Sequence, residues 1–234
     1  MEIRDKVILI TGGLGSLGSG IANSLSKKGA KVIIFDCINN GNENVYKVDV
    51  TNEDEIEKAL EKIEKIDILI NCAGEIYSEP IVNVMKREKH SKDSWDRIIN
   101  NNLTSCFLMS SAVAKKMVES RIKGVIINFS SISAQGNMGQ AAYASAKAGV
   151  EAFTKVLAKE LGMFKIRVCA IAPGFIETSS THNSLSESMV SYWKKNTPLR
   201  KLGEMEDITS TVEYIIENNY ISGTVVHVDG GLTI

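Results

Sequence analysis

The chain of 234 residues carries 27 basic and 28 acidic residues, which leaves a formal net charge of −1. Hydrophobic residues make up 44% of the sequence and charged residues 24%, with 18 Gly and 3 Pro, a composition that excludes collagen-like and disordered chains. The balanced charge lacks the basic excess that binding to nucleic acid or an anionic membrane requires. The length predicts one domain over residues 1–234.

The residue types that form metal sites and disulfides are scattered: Cys37, Cys72, Cys106, Cys169, His90, His182 and His227. Without a CxxC pair or metal-ligand spacing, we predict no metal, and histidines at surface or strand positions. The opening MEIRDKVILITGG differs from a signal peptide, and no apolar run reaches the about 18 residues of a membrane span. We expect a soluble, reduced, cytoplasmic protein that binds neither membrane nor nucleic acid.

Short apolar runs alternate with amphipathic segments from end to end. The runs predict strands over Lys6–Thr11, Lys31–Asp36, Val45–Val48, Ile66–Asn71, Val125–Ser130, Ile166–Ile171 and Thr224–Val228. The amphipathic segments predict helices over Ser16–Lys28, Glu53–Glu64, Ser94–Glu119, Tyr143–Leu161, Ser184–Asn196 and Met205–Asn218. Since most strands are apolar on both faces, this order predicts a single-domain α/β fold: a doubly wound parallel sheet of about seven strands with helices on both faces. The segment between Asp36 and Val45 is too short for a crossover helix and predicts a loop.

The first strand runs into TGGLGSLGSG, where Gly13, Gly15 and Gly18 fit G-x-G-x-x-G before a helix that begins at Ser16. Such glycines allow a tight turn and bring backbone N–H groups close to a pyrophosphate, as in a Rossmann fold. Asp36 closes the second strand, where its carboxylate can accept the hydroxyls of an adenosine ribose. Because this charge would repel a 2′-phosphate and no Arg or Lys follows directly, we predict NAD(H) as the cofactor.

Tyr143 and Lys147 lie four residues apart at the start of a predicted helix, so the phenol and the ammonium share one face. Ser130 and Ser131 end the preceding strand, at the edge where parallel sheets bind ligands. A free phenol has a pKa near 10, which is too high for a base at neutral pH. Lowering that pKa by about three units corresponds to roughly 4 kcal/mol of differential stabilisation of the phenolate. A buried ammonium and a positive nicotinamide ring can supply that stabilisation together.

Together these motifs resemble a short-chain dehydrogenase/reductase over essentially the whole chain. The matching segments are TGGLGSLG, Asp49-Val50, NCAG at 71–74, Trp95 to Asn102, SSISA with YASAK, IAPGFIET and VDGG. The resemblance implies that Tyr143 is the general acid/base and that Lys147 lowers its pKa and binds the nicotinamide ribose. It also implies that a serine holds the substrate oxygen and that Asn102 anchors a water in the proton relay. The implied cofactor site comprises Gly12, Gly15, Ser16, Leu17, Gly18, Asp36, Asp49, Val50, Asn71, Ala73, Gly74, Tyr143, Lys147, Pro173, Gly174, Ile176 and Thr178.

Two features depart from the family pattern. The family's TGxxxGxG places glycine at Ser16, whereas here it stands at Gly15, as in a longer sugar-nucleotide branch. Only 60 residues follow Gly174, too few for the C-terminal substrate domain of that branch. The strand register assigns the catalytic serine to Ser131, whereas the usual interval before Tyr143 gives Ser130. Because successive strand residues face opposite sides, only one reaches the site, and we favour Ser131.

The substrate pocket is expected to form from the segments 75–94 and 177–201. The first is longer than the family usually has; it is either a solvated surface loop or a cleft wall whose Lys86, Arg87, Lys89 and Lys92 attract an anionic substrate. Its length, NCAG, GVIIN and GQAAY resemble the branch with 3-hydroxyacyl-CoA and 17β-hydroxysteroid dehydrogenases, and the chain also resembles 3-oxoacyl-carrier-protein reductases.

The resemblance therefore implies hydride transfer between the nicotinamide and a secondary alcohol or ketone. The preferred substrate is a 3-hydroxyacyl thioester or a hydroxysteroid. A cyclic diol or sugar alcohol is the alternative substrate. A non-catalytic NAD-binding regulator is a third possibility, although a pure sensor has no need of the Ser–Tyr–Lys–Asn set. Small residues on the helix Tyr143–Leu161 allow close helix approach: Ala142, Ala144, Ala146, Ala148 and Ala152. In the family this helix pairs with its copy, so a homotetramer or homodimer is expected.

Overall fold

Seven parallel strands form one open sheet in the computed structural model, which describes residues 1–178 and 186–234. The strands of this sheet are β1 (Val7–Thr11), β2 (Lys31–Asp36), β3 (Val45–Lys47), β4 (Ile68–Asn71), β7 (Val125–Phe129), β8 (Arg167–Pro173) and β9 (Val225–Val228). Between β4 and β7, the short antiparallel strands β5 (Val82–Asn83) and β6 (Glu88–Lys89) form a separate hairpin. The sheet order β3-β2-β1-β4-β7-β8-β9 confirms the predicted doubly wound topology.

Helices cover both faces of the sheet, and side chains cap several of their N-termini. The helices are α1 (Ser16–Lys27), α2 (Glu53–Leu60), α3 (Lys92–Ile99), α4 (Ser105–Glu119), α5 (Ala141–Leu161), α6 (Glu187–Asn196) and α7 (Met205–Glu217). Asn52, Ser91 and Ser186 precede α2, α3 and α6, and each side-chain oxygen accepts a backbone N–H of the first turn. These caps fix where the three helices begin.

Alternate strand residues fill two separate hydrophobic cores. In β1, Ile8 and Ile10 lie in the core covered by α1 and α7, whereas Leu9 lies in the core covered by α2, α4 and α5. All three side chains are fully buried. Because successive strand side chains point to opposite faces, a strand covered on both sides is apolar throughout, as the sequence predicted.

The order of the strands reverses between β1 and β4, so their carboxyl ends open a crevice. Thr11 Oγ1, at the end of β1, accepts the backbone N–H groups of Cys72 and Ala73 at 3.1 Å each. Gly12 follows with φ at +63°, and a Cβ atom on it would lie 2.8 Å from the Cα of Ala73. Both the backbone angle and the close approach require glycine here. The glycine loop is therefore held against the segment that follows β4.

Two segments differ from the predicted helices and loops. The single helix expected over Ser94–Glu119 begins earlier, at Lys92, and a π-helical turn over Asn100–Thr104 separates α3 from α4. The segment 75–94, expected without secondary structure, contains the β5–β6 hairpin. The predicted loop between Asp36 and Val45 is confirmed, since this connection contains no helix.

Part of the expected substrate segment 177–201 lies outside the described residues. The predicted helix Ser184–Asn196 is described from Glu187 as α6, whereas His182 belongs to residues 179–185. In the ranges that the structure describes, every helix is too short or too polar to cross a membrane.

Candidate active site

Gly18 packs so closely against the glycine loop that its position has no room for a side chain. A Cβ atom on Gly18 would meet the carbonyl oxygen of Gly12 and lie 2.8 Å from the Cα of Gly13. Gly15 is the N-cap of α1, which opens with Ser16 and Leu17 and has no acidic residue in its first turn. The loop thus presents backbone and a helix N-terminus without a repelling carboxylate, an arrangement that fits a pyrophosphate.

Asp36 lies at the end of β2 beside this loop. Its Oδ2 accepts the N–H of Leu14 at 3.0 Å, and its Oδ1 accepts the N–H of Ile38 at 3.3 Å. The half-buried carboxylate is therefore held at the glycine loop, where it fits the hydroxyls of an adenosine ribose.

The residues predicted to line the cofactor after β3 and β4 differ in exposure. Asp49 is exposed and Val50 is half-buried. The Asn71 side chain is buried, and its Nδ2 donates to Ser110 Oγ at 2.8 Å and to Asn128 Oδ1 at 2.9 Å. Because this amide faces the interior, a cofactor contact of Asn71 would come from its backbone, and the contact stays a prediction.

The predicted carboxamide-binding segment follows β8. Pro173 ends that strand, and a Cβ atom on Gly174 would lie 2.8 Å from the Cα of Asp229, so only glycine allows this approach. Ile176 is buried and Thr178 is half-buried. The fold therefore brings these residues to the carboxyl edge of β8, and their cofactor contacts stay predictions.

Tyr143 and Lys147 lie one turn apart near the start of α5, and both are almost fully buried. The Lys147 Nζ lies 5.6 Å from the centroid of the Tyr143 ring. The same Nζ donates to the carbonyl oxygen of Phe129 at 2.8 Å. The last residue of β7 thus fixes the ammonium beside the phenol.

The two adjacent serines after β7 have different partners. Ser131 is half-buried, and its side chain is close enough to the Tyr143 phenol to lower the pKa of that group. Ser130 is buried, and its hydroxyl donates to Glu151 Oε1 at 2.8 Å and to the carbonyl oxygen of Lys147 at 3.2 Å. The geometry favours Ser131 for binding a substrate oxygen, a role that stays a prediction.

Asn102 lies in the π-helical turn, an irregularity that recurs at functional sites. Its buried Nδ2 donates to the carbonyl oxygens of Ile98 and Glu75, both at 2.9 Å, and its Oδ1 accepts the Glu75 N–H at 3.3 Å. A Cβ atom on Gly74 would lie 2.5 Å from Asn102 Oδ1 and 3.4 Å from Lys147 Nζ. Gly74 therefore lies next to both the amide of Asn102 and the ammonium of Lys147, and its missing side chain leaves room for them.

Burial controls the protonation of this site. It raises the pKa of Tyr143 to about 12, while the hydrogen bond with Ser131 acts in the opposite direction. Burial also lowers the pKa of Lys147. The lowered phenol pKa that the sequence predicted beside Lys147 is therefore not observed, and the phenol is protonated at neutral pH, as a free phenol is.

A cluster of charged and aromatic side chains next to Asn102 was not predicted from the sequence. The Glu75 carboxylate pairs with the Arg97 guanidinium, and the Arg97 Cζ lies 4.8 Å from the centroid of the Tyr77 ring. Tyr77 packs in turn against the cluster that contains Tyr143. No spacing rule links residues 75, 77 and 97, because the hairpin that separates them was not predicted.

The prediction of surface or strand histidines is wrong for His90. The imidazole is buried in edge-on contact with Trp95, and its Nδ1 lies 3.0 Å from the carbonyl oxygen of Glu79. His227 lies in β9 as predicted. Among residues 1–178 and 186–234, no three or more His, Cys, Asp or Glu side chains are arranged to hold a metal.

Comparisons with known proteins identify the family of this chain. A family model described as enoyl-(acyl carrier protein) reductase matches residues 12–233. A 3-oxoacyl-[acyl-carrier-protein] reductase from Buchnera aphidicola subsp. Baizongia pistaciae is 37% identical over 252 aligned positions, which cover 99% of each chain. Its counterpart from Escherichia coli K12 is 36% identical over 248 positions, again with 99% of each chain covered. The chain belongs to the short-chain dehydrogenase/reductase family.

Solved structures of the same family share the fold. A short-chain type dehydrogenase/reductase from Mycobacterium ulcerans matches with a TM-score of 0.88 and 27% identity over 99% of this chain and 90% of the other. An aldohexose dehydrogenase from Thermoplasma acidophilum, in ligand-free form, matches with a TM-score of 0.87 and 28% identity over 98% and 94% of the two chains. The family membership establishes an oxidoreductase that uses a nicotinamide cofactor.

Proposed function

We propose that the protein is an NAD(H)-dependent oxidoreductase that interconverts a 3-oxoacyl thioester and its 3-hydroxy form. The observation that carries the reaction type is the convergence of Ser131, Tyr143, Lys147 and Asn102 next to the glycine-loop crevice. The similarity to 3-oxoacyl-carrier-protein reductases along the whole chain supports the thioester.

The hydride chemistry belongs to the nicotinamide cofactor, whereas the side chains of this chain orient the substrate and handle the proton. Ser131 donates a hydrogen bond to the substrate oxygen, and the Tyr143 phenol gives that oxygen its proton as the carbonyl is reduced. Lys147 stabilises the phenolate that remains, and Asn102 holds the relay that returns a proton to it. A phenol is protonated at neutral pH, so Tyr143 carries the proton that the reduction consumes.

The choice of NAD(H) rests on Asp36. Its carboxylate is oriented by the N–H groups of Leu14 and Ile38 and lies where the adenosine ribose would bind. A 2′-phosphate there would place two anions together in a half-buried position, which costs free energy. The glycine loop and the N-terminus of α1 would hold the pyrophosphate.

A sugar or cyclic alcohol is the second candidate substrate. The structural similarity to an aldohexose dehydrogenase at 28% identity favours it. A hydroxysteroid is a further candidate substrate, and assaying a ketosteroid beside the other ketones tests it. A non-catalytic regulator would require neither the buried ammonium nor the phenol, so the intact site argues against that role.

We further propose that the chain assembles as a homotetramer, or a homodimer, in the cytoplasm. An apolar groove between α4 and α5 supports assembly, and four cysteines without a disulfide fit a reducing compartment.

Steady-state kinetics of NADH with acetoacetyl-CoA, a ketosteroid, a cyclic ketone and a ketosugar tests the proposal. The highest kcat/KM is expected for acetoacetyl-CoA, and Tyr143→Phe should lower kcat by about 10²–10⁴-fold, the usual contribution of a general acid. NADH affinity, measured by fluorescence, should change little. Turnover undiminished by Tyr143→Phe would refute the mechanism. A higher kcat/KM for the ketosugar than for acetoacetyl-CoA would make a sugar the substrate in place of the thioester.

Two alanine variants decide between the serines. Ser131→Ala should lose most of the turnover because its hydroxyl faces the phenol, whereas Ser130→Ala should retain more, since Ser130 bonds Glu151 and the Lys147 backbone. Full activity in Ser131→Ala would transfer the role to Ser130.

A further inference from the structure

We propose that Arg97 is a positioning residue for the proton relay and acts through Glu75 and Tyr77. The inference rests on the proposed function, because it assigns Arg97 a part in that reaction. Arg97 contacts neither the phenol nor the ammonium in the described structure, and its effect passes through the residues that it holds.

The first connection runs from Arg97 to Asn102. The guanidinium pairs with Glu75 Oε1, and Glu75 Oε2 accepts the Asn101 Nδ2 at 2.8 Å. With its carboxylate held by these two partners, Glu75 contacts the Asn102 side chain through its own peptide groups. Its carbonyl oxygen accepts the Asn102 Nδ2, and its N–H donates to the Asn102 Oδ1. The rotation of the relay amide therefore depends on where Arg97 fixes Glu75.

The second connection runs from Arg97 to the wall of the phenol pocket. The guanidinium lies over the Tyr77 ring, a favourable cation–π arrangement. Tyr77 packs against the buried cluster of Ile98, Ala142 and Tyr143. One guanidinium thus braces both sides of the relay, the amide of Asn102 and the ring beside the phenol.

Exposure separates this role from a role in folding. The side chains of Arg97 and Glu75 are 43% and 36% exposed, and ion pairs with such access to water contribute little to folding stability. The π-helical turn itself departs from regular helix geometry, so contacts from outside the helix matter for its shape. Loss of Arg97 should leave the fold intact and displace the relay.

The kinetic test compares Arg97→Met, Arg97→Lys, Glu75→Gln and the exchange Glu75→Arg/Arg97→Glu under the acetoacetyl-CoA assay. Arg97→Met should lower kcat about tenfold or more, since small misplacements of catalytic groups have effects of this size. KM should change less than kcat, and the solvent isotope effect on kcat should rise because proton transfer becomes slower. Arg97→Lys and the exchange should each recover part of kcat, because an ion pair to residue 75 is kept or rebuilt.

The matched control is Asp96→Asn on the same helix. Asp96 forms a comparable exposed pair with Lys92, at 2.7 Å, that touches neither Glu75 nor Asn102. This variant should keep wild-type kcat and isotope effect. A higher KM with unchanged kcat in Arg97→Met would overturn the inference and show that Arg97 binds an anionic substrate directly.

Amide hydrogen exchange of residues 98–105 provides a readout that does not require turnover. Arg97→Met and Glu75→Gln should exchange several-fold faster in this segment, while Asp96→Asn and the strands of the sheet should match wild type. Unchanged exchange in both variants would refute the positioning role. If no ketone is reduced by the wild-type protein, the proposed function fails, yet the exchange experiment still decides whether Arg97 holds the turn.

Discussion

Lys147 is an ionisable residue that is almost completely buried. Its Nζ donates to the Phe129 carbonyl oxygen, but burial still lowers its pKa because water solvates the ammonium better than the protein interior does. A group that ionises less readily in the folded state destabilises the fold at neutral pH. The lysine to which we assign a catalytic role is therefore a residue whose burial lowers the stability of the fold.

We expect Lys147→Met to abolish turnover and to raise the melting temperature at pH 7. Each kcal/mol gained raises Tm by roughly 2–4 °C for a chain of this size. Between the lowered folded pKa and the ordinary value of 10.5, the unfolded chain binds more protons, so the stability of the wild type rises with pH relative to the variant. The difference in Tm should therefore narrow as the pH approaches 10.5.

Lys155→Met is the matched control, because Lys155 is exposed on the same helix. Calorimetry should show Tm of this variant within experimental error of the wild type at every pH. A lower Tm in Lys147→Met than in the wild type would show that the buried ammonium stabilises the fold.

Asp36 makes the second prediction at this scale. Replacing Asp36 by Ala and Ile38 by Arg should change the ratio of kcat/KM for NADPH over NADH by at least about tenfold, or 1.4 kcal/mol, because a repelling carboxylate becomes an attracting guanidinium. Ile38→Arg alone should shift the ratio less, since Asp36 still repels the 2′-phosphate. An unchanged ratio in the double variant would mean that the ribose binds elsewhere.

Sequence spacing predicted individual residues well where one element carries both partners. Tyr143 and Lys147 share a helix face, so four residues of separation suffice to bring them together. The serine was harder, because register and loop length gave different answers; in the structure Ser131 is the serine that lowers the phenol pKa, and its catalytic role stays a prediction. Glu75 and Arg97 escaped prediction, since their contact depends on how a long insertion folds.

At the scale of elements, the sequence predicted regular periods and missed local irregularities. The apolar period through Ser94–Glu119 continues across the π-helical turn, which has no signature of its own, although this turn shapes the surroundings of Asn102. The β5–β6 hairpin has only two residues in each strand and lacks a tight-turn dipeptide. The His90 N–H donates to the Ile81 carbonyl oxygen and extends the hairpin, whereas the Glu79 N–H donates to the carbonyl oxygen of Gly139, a contact that is not local in sequence.

Helix α1 offers a pair of matched glycines. A Cβ atom on Gly18 would meet the backbone of Gly12 and Gly13, which cannot move without opening the glycine loop. A Cβ atom on Gly20 would meet the side chain of Met205, with its Cγ at 2.7 Å, and this flexible chain can move away. The two positions share a helix and differ in what opposes a methyl group.

We therefore expect Gly18→Ala to lower Tm and to weaken NADH binding at least about tenfold, or 1.4 kcal/mol. Gly20→Ala should keep NADH affinity, and its gain in helix propensity of up to about 1 kcal/mol offsets the repacking of Met205. Thermal unfolding and NADH fluorescence titration measure both effects. Equal NADH affinity in the two variants would show that the loop tolerates displacement.

At the scale of the whole molecule, the sheet order determines where every part of the site lies. Because the topology reverses between β1 and β4, the glycine loop, Gly74 and the ends of β7 and β8 converge on one edge. The alternation of apolar runs and amphipathic segments was enough to predict this arrangement. It was not enough to predict surfaces between copies, because a single chain's pattern does not say which apolar face meets a partner.

The alanines on α5 illustrate that limit. Ala142, Ala144 and Ala146 are buried within their own chain, and only Ala148 and Ala152 are exposed. The argument from small residues therefore applies to two of the five positions. A more direct sign of assembly is the groove of about 470 Å³ between α4 and α5, whose lining includes Phe107, Phe153 and Leu157 beside Lys115 and Glu160.

Phe107 is the residue that tests this groove. Its ring is 49% exposed and lies 5.9 Å from the ring of Phe153, so a second copy would cover apolar surface that water now contacts. Light scattering of the wild type should give two or four times the 25.5 kDa of one chain. Phe107→Asp should shift the mass toward one chain, because a carboxylate buried between copies would be desolvated without a partner. Met85→Asp, at a hairpin residue that is 95% exposed, should leave the mass unchanged. A monomeric wild type would refute assembly, and an intact oligomer in Phe107→Asp would place the interface elsewhere.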